Sequence, residues 1–202
     1  DAMFAVSTPL HLPEGVVDIV GVGGAPRRQV AAFNVSTIAS FVAAAAGAMV
    51  CKHGNRKASS TSGSFDLLET LGVNIEASPD VVAGGVAKIG LGFAFARAHH
   101  PSMRHVGPAR AQLGVPSVFN VLGPLAHPGR LKRQVLGVSD AKRAAQIADV
   151  VAGTDAELVW VVHGHDDLDE LSLTGPAQVI EVRDGAQRSF TVDPTELGFA
   201  IV

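Results

Sequence analysis

Apolar residues gather in short runs along this chain, and each run is followed at once by a polar or glycine-rich segment. Val16 to Val20 leads into Gly21-Val22-Gly23-Gly24, Met49 to Lys52 into His53-Gly54-Asn55-Arg56, and Gly92 to Ala96 into Ala98-His99-His100-Pro101. Val115 to Val121, Val135 to Val138 and Leu158 to Val162 repeat the arrangement, and Leu122-Gly123-Pro124-Leu125 reads as a rigid loop after the first of these. Runs of this length bounded by turn residues predict buried strands. Helical stretches between them make the alternation an α/β fold, in which ligands collect beyond the carboxyl ends of the strands.

The helices are marked by their ends. One is predicted from near Asn34 to Ala46 with Gly47 as its stop, apolar nearly all round and therefore central; the small or apolar run Ala43 to Val50 should be buried up to Cys51. Leu67, Leu68 and Leu71 mark a helix ended by Gly72, and Ser78-Pro79 opens another that Gly90 ends. Met103 to Leu113 is predicted helical with a break near Gly107-Pro108, and Asp140 to Ala152 is an amphipathic helix. Val179, Ile180 and Val182, the Asp184-Gly185 turn and then Phe190 and Val192 predict a hairpin, and Asp193 to Gly198 a single helical turn.

Composition narrows the function classes. With 16 basic and 19 acidic residues spread without blocks, the net charge of −3 gives nucleic-acid binding no support. The single cysteine, Cys51, excludes an internal disulfide framework, fits a reducing compartment and, in an apolar strand, reads as an inert core thiol. No run is convincing as a membrane span: Ala31 to Cys51 is interrupted by Asn34, Ser36, Thr37, Ser40 and Gly47. The expected location is the cytoplasm.

Candidate chemistry sits at the strand ends. Gly21, Gly23 and Gly24 would let backbone N–H groups approach an anion, or simply form a tight turn. Asn34, Ser36 and Thr37 carry more polar groups than one helix cap needs; the surplus would hold phosphate or a metal-bound water, or cap redundantly. Ser59-Ser60-Thr61-Ser62-Gly63-Ser64 is a hydroxyl-rich turn. His99 and His100 are adjacent and cannot both point one way from an extended chain, which disfavours a shared metal site, and Arg104 and Arg110 need not share a helix face. Asp166, Asp167, Asp169 and Glu170 are four carboxylates within five residues after a buried strand, either gathered by a cation or solvated as a loop.

Taken together, Asn34-Val35-Ser36-Thr37, Lys52-His53-Gly54-Asn55-Arg56, the serines 59, 60 and 62, His99 to Met103, Phe119 to Leu125 and Asp169-Glu170-Leu171 resemble the anthranilate phosphoribosyltransferases from about Val17 to Phe199. The resemblance implies a central mixed, largely parallel sheet flanked by helices in residues 16–202, with residues 1–15 the end of a small N-terminal helical domain and its linker. It implies transfer of a phosphoribosyl group from phosphoribosyl pyrophosphate to anthranilate with Mg2+, and a homodimer for the full-length protein. It places Gly21, Gly23, Gly24, Asn34, Ser36, Thr37, Lys52, Ser60 and Ser64 around the phosphates, and Ser36, Asp169 and Glu170 around magnesium. His53, Gly54, Asn55, Arg110 and Gly123 fall on the anthranilate side, His53, Asn55 and Arg110 being the catalytic candidates. Arg56 is expected to make a structural ion pair. A nucleic-acid-binding homologue and a pyrimidine nucleoside phosphorylase are the competing readings.

The chain departs from the family pattern at one loop. Family members usually read Gly-Thr-Gly-Gly-Asp-Gly there, whereas Gly21-Val22-Gly23-Gly24-Ala25-Pro26-Arg27-Arg28-Gln29 lacks the hydroxyl, the carboxylate and a glycine, and Pro26 removes an N–H. Weakened or altered handling of phosphoribosyl pyrophosphate and magnesium follows. Steady-state kinetics should therefore show a high KM for phosphoribosyl pyrophosphate that Ala25→Asp lowers; an ordinary KM that the substitution leaves unchanged contradicts this.

Overall fold

A computed structural model describes residues 2–22, 33–56, 63–113 and 117–202, the side chains of Arg110 and Ala111 lying outside that description. The chain forms two compact units, residues 1–19 with 33–131 and residues 20–32 with 132–202. Its strands are ordered β3 (Leu91–Phe95), β2 (Val50–Gly54), β1 (Val17–Gly21), β4 (Arg133–Gly137), β5 (Leu158–His163), β6 (Ala177–Arg183) and β7 (Ala186–Val192). The expected mixed, largely parallel sheet with flanking helices is thus observed.

In the first unit, α1 (Ala2–Ala5) is followed by β1 (Val17–Gly21), whose last two residues belong to the second unit. Then come α2 (Val35–Ala45), β2 (Val50–Gly54), α3 (Ser64–Thr70), α4 (Pro79–Ile89) and β3 (Leu91–Phe95). The unit closes with α5 (Ala96–His99), α6 (Met103–Leu113) and α7 (Phe119–Leu125). β2 runs parallel to both neighbours, in register from Val50↔Leu91 to Gly54↔Phe95 on one side and at Val17↔Val50 on the other. Its residues 50 to 53 are all buried, as a central parallel strand requires. Leu10, Val16, Cys51, Val82, Val86 and Ala94 form one core, and Phe65, Leu68, Ile75 and Phe95 a second. Gly90, at φ 73°, ends α4 in the left-handed conformation that a glycine tolerates.

Three expectations fail in this unit. The Asn34–Ala46 helix is present as α2, but it is not central. Thr37 and Ser40 are its buried residues, while Val35, Ile38, Phe41 and Val42 are exposed, and burial along Ala43 to Val50 begins only at Val50. Alanine contributes a single methyl, so an Ala-rich run looks apolar all round without committing any face; small hydroxyl residues can then pack inward, Ser40 Oγ satisfying itself on the Ser36 carbonyl at 2.7 Å.

The described part of the Val115–Val121 strand is helical: α7 begins at Phe119 and takes in Leu122 to Leu125, which reads in sequence as a loop. Asn120 Oδ1 accepts from Ser117 N–H at 3.1 Å, and the Asn120 N–H donates to the Ser117 carbonyl at 2.9 Å, a local reciprocal bond that closes the first turn. Periodicity cannot separate a short apolar strand from a short helix. Nor does α6 break at Gly107-Pro108. Residues 107–109 are exposed, where water can serve the carbonyl that proline leaves without a donor.

The second unit holds β4 (Arg133–Gly137), α8 (Ala141–Ala152), β5 (Leu158–His163), β6 (Ala177–Arg183) and β7 (Ala186–Val192). β4 and β5 are parallel, while β5, β6 and β7 are antiparallel. Asp140 caps α8 by accepting from Arg143 N–H at 2.7 Å, and Ala144, Ile147, Ala148 and Val151 form its buried stripe. The hairpin turns at Asp184 and Gly185, both at positive φ. Its register is marked by side chains: Glu181 stands opposite both Trp160 and Arg188, accepting from Trp160 Nε1 at 2.8 Å and from Arg188 at 3.3 Å.

Two glycines of this unit lie against the chain at residues 169–170. A Cβ on Gly137 would strike the Asp169 carbonyl, and one on Gly164 the Glu170 carbonyl. Gly137→Ala should therefore destabilise the protein by about 1–3 kcal/mol, the usual cost of overpacking. Urea unfolding measures it, and a loss below about 0.5 kcal/mol would show that the 169–170 backbone yields freely.

Candidate functional site

β2 delivers its polar residues from a fully buried strand. Lys52 is 1% exposed, and its Nζ donates to the Ile19 carbonyl of β1 at 2.6 Å. Burial pushes the ammonium down to about 8, against an opposing pull from the charge of Asp18. Asp18 is itself fully buried, and its Oδ1 accepts the His53 backbone N–H at 2.9 Å. The same burial, with Asp18 adding to it, holds the Cys51 thiol far above its ordinary range, so Cys51 is the inert core thiol expected.

Around His53 stand three more imidazoles. His53 lies 5.4 Å from His100 and 5.5 Å from His127 between ring centroids, both edge-on. Each neighbour is tied to backbone: His99 Nδ1 to the Thr8 carbonyl at 3.1 Å, His100 Nε2 to the Ala126 carbonyl at 2.9 Å, His127 Nε2 to the Cys51 carbonyl at 3.0 Å. His127 Nδ1 also accepts from Gly129 N–H at 3.0 Å, so both its nitrogens are used in the neutral Nε2–H form. Desolvation lowers all four histidines and mutual repulsion adds to it for His53, His100 and His127; His53 is driven well below its ordinary value and His127 down to about 3. The cluster is neutral at physiological pH. No metal-ligating group of three or more His, Cys, Asp or Glu occurs among the described residues.

Two buried polar atoms of this unit have no hydrogen-bond partner among the described residues and belong to predicted site positions: His53 Nε2 and Thr37 Oγ1. Gly54 is bare for a local reason, since a Cβ there would meet Ser64 Oγ at 2.7 Å and the Phe65 ring at 2.9 Å. Asn55 is exposed and accepts from Arg56 N–H at 2.9 Å, and Ser64 opens α3 with its hydroxyl 3.4 Å from the Asn55 carbonyl. Arg56 makes the ion pair expected of it, Nη2 to Glu69 Oε1 at 2.8 Å, with its guanidinium over Phe95. Asn34 precedes α2 without a side-chain cap bond, Ser36 is half-buried in its first turn, and Gly123 lies in α7 with open space where a Cβ would be. Arg110 lies on α6. Gly23, Gly24 and Ser60, with the departing loop from Ala25 to Gln29, lie outside the described residues.

In the second unit the four clustered carboxylates divide. Asp166 and Asp167 are exposed, at positive φ, and stand 3.0 Å from His165 and 3.7 Å from His163 respectively. They form the solvated loop. Asp169 and Glu170 are half-buried over Gly137 and Gly164, and a Cβ on Gly21 would come 2.5 Å from Asp169 Oδ2. These two carboxylates are the hard oxygen donors that magnesium takes, usually one or two alongside water and phosphate oxygens, so the donor chemistry fits the ion.

Asp18 and His127 were not among the sequence candidates. Asp18 was legible as a lone carboxylate inside the apolar run Val16 to Val20; His127, in Ala126-His127-Pro128, stands among turn residues and carries no local signal.

The glycosyl transferase family, a/b domain, matches residues 13–202. A protein named anthranilate phosphoribosyltransferase from Afipia carboxidovorans is 50% identical over 190 residues, covering 94% of this chain and 56% of the relative. Among solved structures, anthranilate phosphoribosyltransferase from Thermus thermophilus has a TM-score of 0.89 at 44% identity, covering 100% of this chain and 59% of that one. The Saccharomyces cerevisiae enzyme in complex with PRPP and Mg has a TM-score of 0.85 at 33% identity, covering 100% and 55%. The resemblance seen in the motifs is upheld, and the chain spans little more than half the length of these relatives.

The neutral histidines generate a pH dependence with a definite sign. A histidine held down in the folded state leaves stability intact above its unfolded value of 6.5 and loses it as pH falls from there toward the folded value of about 3. His127 alone should remove roughly 2 kcal/mol between pH 7.5 and pH 5. Urea unfolding across that range should show a decline to which all four histidines contribute, and His127→Gln should lessen it by about that amount; an equal decline in the variant would show that His127 is not among its sources.

Proposed function

The chain belongs to the glycosyl transferase family, a/b domain, and from that premise we propose that the protein carrying it transfers the phosphoribosyl group of phosphoribosyl pyrophosphate to anthranilate, releasing pyrophosphate. One observation carries the reading most directly. His53 Nε2 and Thr37 Oγ1, buried and without protein partners among the described residues, fall at positions where the resemblance places acceptor and phosphate. Folded proteins satisfy buried polar groups, so each waits for a bond that a substrate can supply.

In this reaction the anomeric carbon–oxygen bond to pyrophosphate breaks with its electron pair leaving on oxygen. A carbon–nitrogen bond forms to the aromatic amine, whose proton departs to solvent or pyrophosphate. Lys52, with Thr37, Ser36, Asn34 and the serines at 60 and 64, is assigned to the phosphate groups, as are Gly21, Gly23 and Gly24 through their backbone. Ser36, Asp169 and Glu170 are assigned to Mg2+, which when bound neutralises charge developing on the leaving pyrophosphate. Arg110 pairs its fork with the anthranilate carboxylate, while His53, Asn55, Gly54 and Gly123 orient the ring. His53 does so as a neutral imidazole, and the amine needs no strong base, so positioning and leaving-group stabilisation do most of the work.

Homodimerisation and a cytoplasmic location belong to the same proposal; no described helix is long and apolar enough to cross a membrane. The test is to mix the full-length protein with anthranilate, phosphoribosyl pyrophosphate and Mg2+ and follow anthranilate fluorescence. It should decay only when all three are present. No decay at high protein concentration would sink the proposal.

A further inference from the structure

β2 pairs with β3 from Val50 to Gly54 and with β1 at Val17↔Val50. Beyond that point two side chains cross between the strands in opposite directions. Asp18 reaches from β1 to the His53 backbone N–H at 2.9 Å, and Lys52 reaches back from β2 to the Ile19 carbonyl at 2.6 Å. These side chain-to-backbone bonds tie the two strands together, and the β2 residues they hold are those assigned to phosphate and acceptor.

We infer that Asp18 is a positioning residue for the transfer, its buried carboxylate fixing the His53 backbone and serving as the counter-charge that holds the Lys52 ammonium at the carboxyl edge of β2. The inference rests on the reading of function given above. A fully buried carboxylate is costly where an apolar residue would pack, unless its charge and hydrogen bonds are both used. Here both are used. Asp18 from β1 acts on both Lys52 and Cys51, and His53 is acted on by Lys52, by His99 and His100 at α5 and by His127 after α7. Among them Asp18 is the one that favours the charged form of Lys52, while burial opposes it.

The sign of the effect follows. Without the Asp18 charge, desolvation of Lys52 is unopposed, and the amine loses its proton at lower pH. Asp18→Asn keeps an oxygen that can accept the His53 N–H and removes only the charge. In the full-length protein, the alkaline limb of kcat/KM for phosphoribosyl pyrophosphate should move about one pH unit lower, with the acidic limb unchanged. A merely structural role would not move that limb. Turnover in the unaltered protein with an unmoved limb in Asp18→Asn would overturn the inference alone, whereas no turnover in the unaltered protein would overturn the functional reading beneath it. If Asp18→Asn does not fold, Asp18→Glu carries the test, because it keeps the charge and displaces it by one methylene. It should hold the limb in place while lowering kcat about tenfold or more; unchanged kcat would overturn the inference.

Discussion

The first unit depends on keeping a charged amine inside a parallel sheet. An ammonium as buried as that of Lys52 survives only with a fixed acceptor and a nearby negative charge, and β1 supplies both, through the Ile19 carbonyl and Asp18. The surroundings follow from the same low-dielectric setting. Cys51 cannot ionise beside Asp18, and four imidazoles can stand together because all are neutral. Neutral rings use their nitrogens as fixed donors and acceptors, so His99, His100 and His127 tie the loops that carry Thr8, Ala126 and Gly129 to the sheet edge. His53 Nε2 is buried and has no hydrogen-bond partner among the described residues.

The second unit meets a different constraint, which is the close passage of backbone over backbone. Asp169 and Glu170 come half-buried because Gly137 and Gly164 have no side chains to hold the chain away. Asp166 and Asp167, a few residues earlier, turn outward at positive φ. One acidic run therefore supplies a solvated surface and a positioned carboxylate pair.

The alternation of apolar runs and polar strand ends made the α/β class legible, and cap and stop residues such as Asp140, Gly72 and Gly90 gave helix positions to within about two residues. Where the reading failed, local sequence was ambiguous in a definable way. An alanine-rich helix has no committed face, so its inward side at Thr37 and Ser40 was set by packing that no periodicity records. The apolar run around Val118 to Val121 is too short to choose between strand and helix, and a side-chain bond from Asn120 decided it. In the site, motif residues were legible because they are contiguous, as in Lys52 to Arg56. Asp18 and His127 act on that segment from 35 and 76 residues away in sequence, on His53 and Cys51 respectively, distances at which only the fold brings them together.

The burial of Cys51 also gives the chain an internal reporter. With one cysteine in the chain, fully buried and held as a thiol, a maleimide added to the native protein meets no reactive sulfur. Covalent labelling then proceeds only through molecules in which the β2 core has opened. The labelling rate thus follows the opening of the strand that carries Lys52 and His53, without any introduced probe.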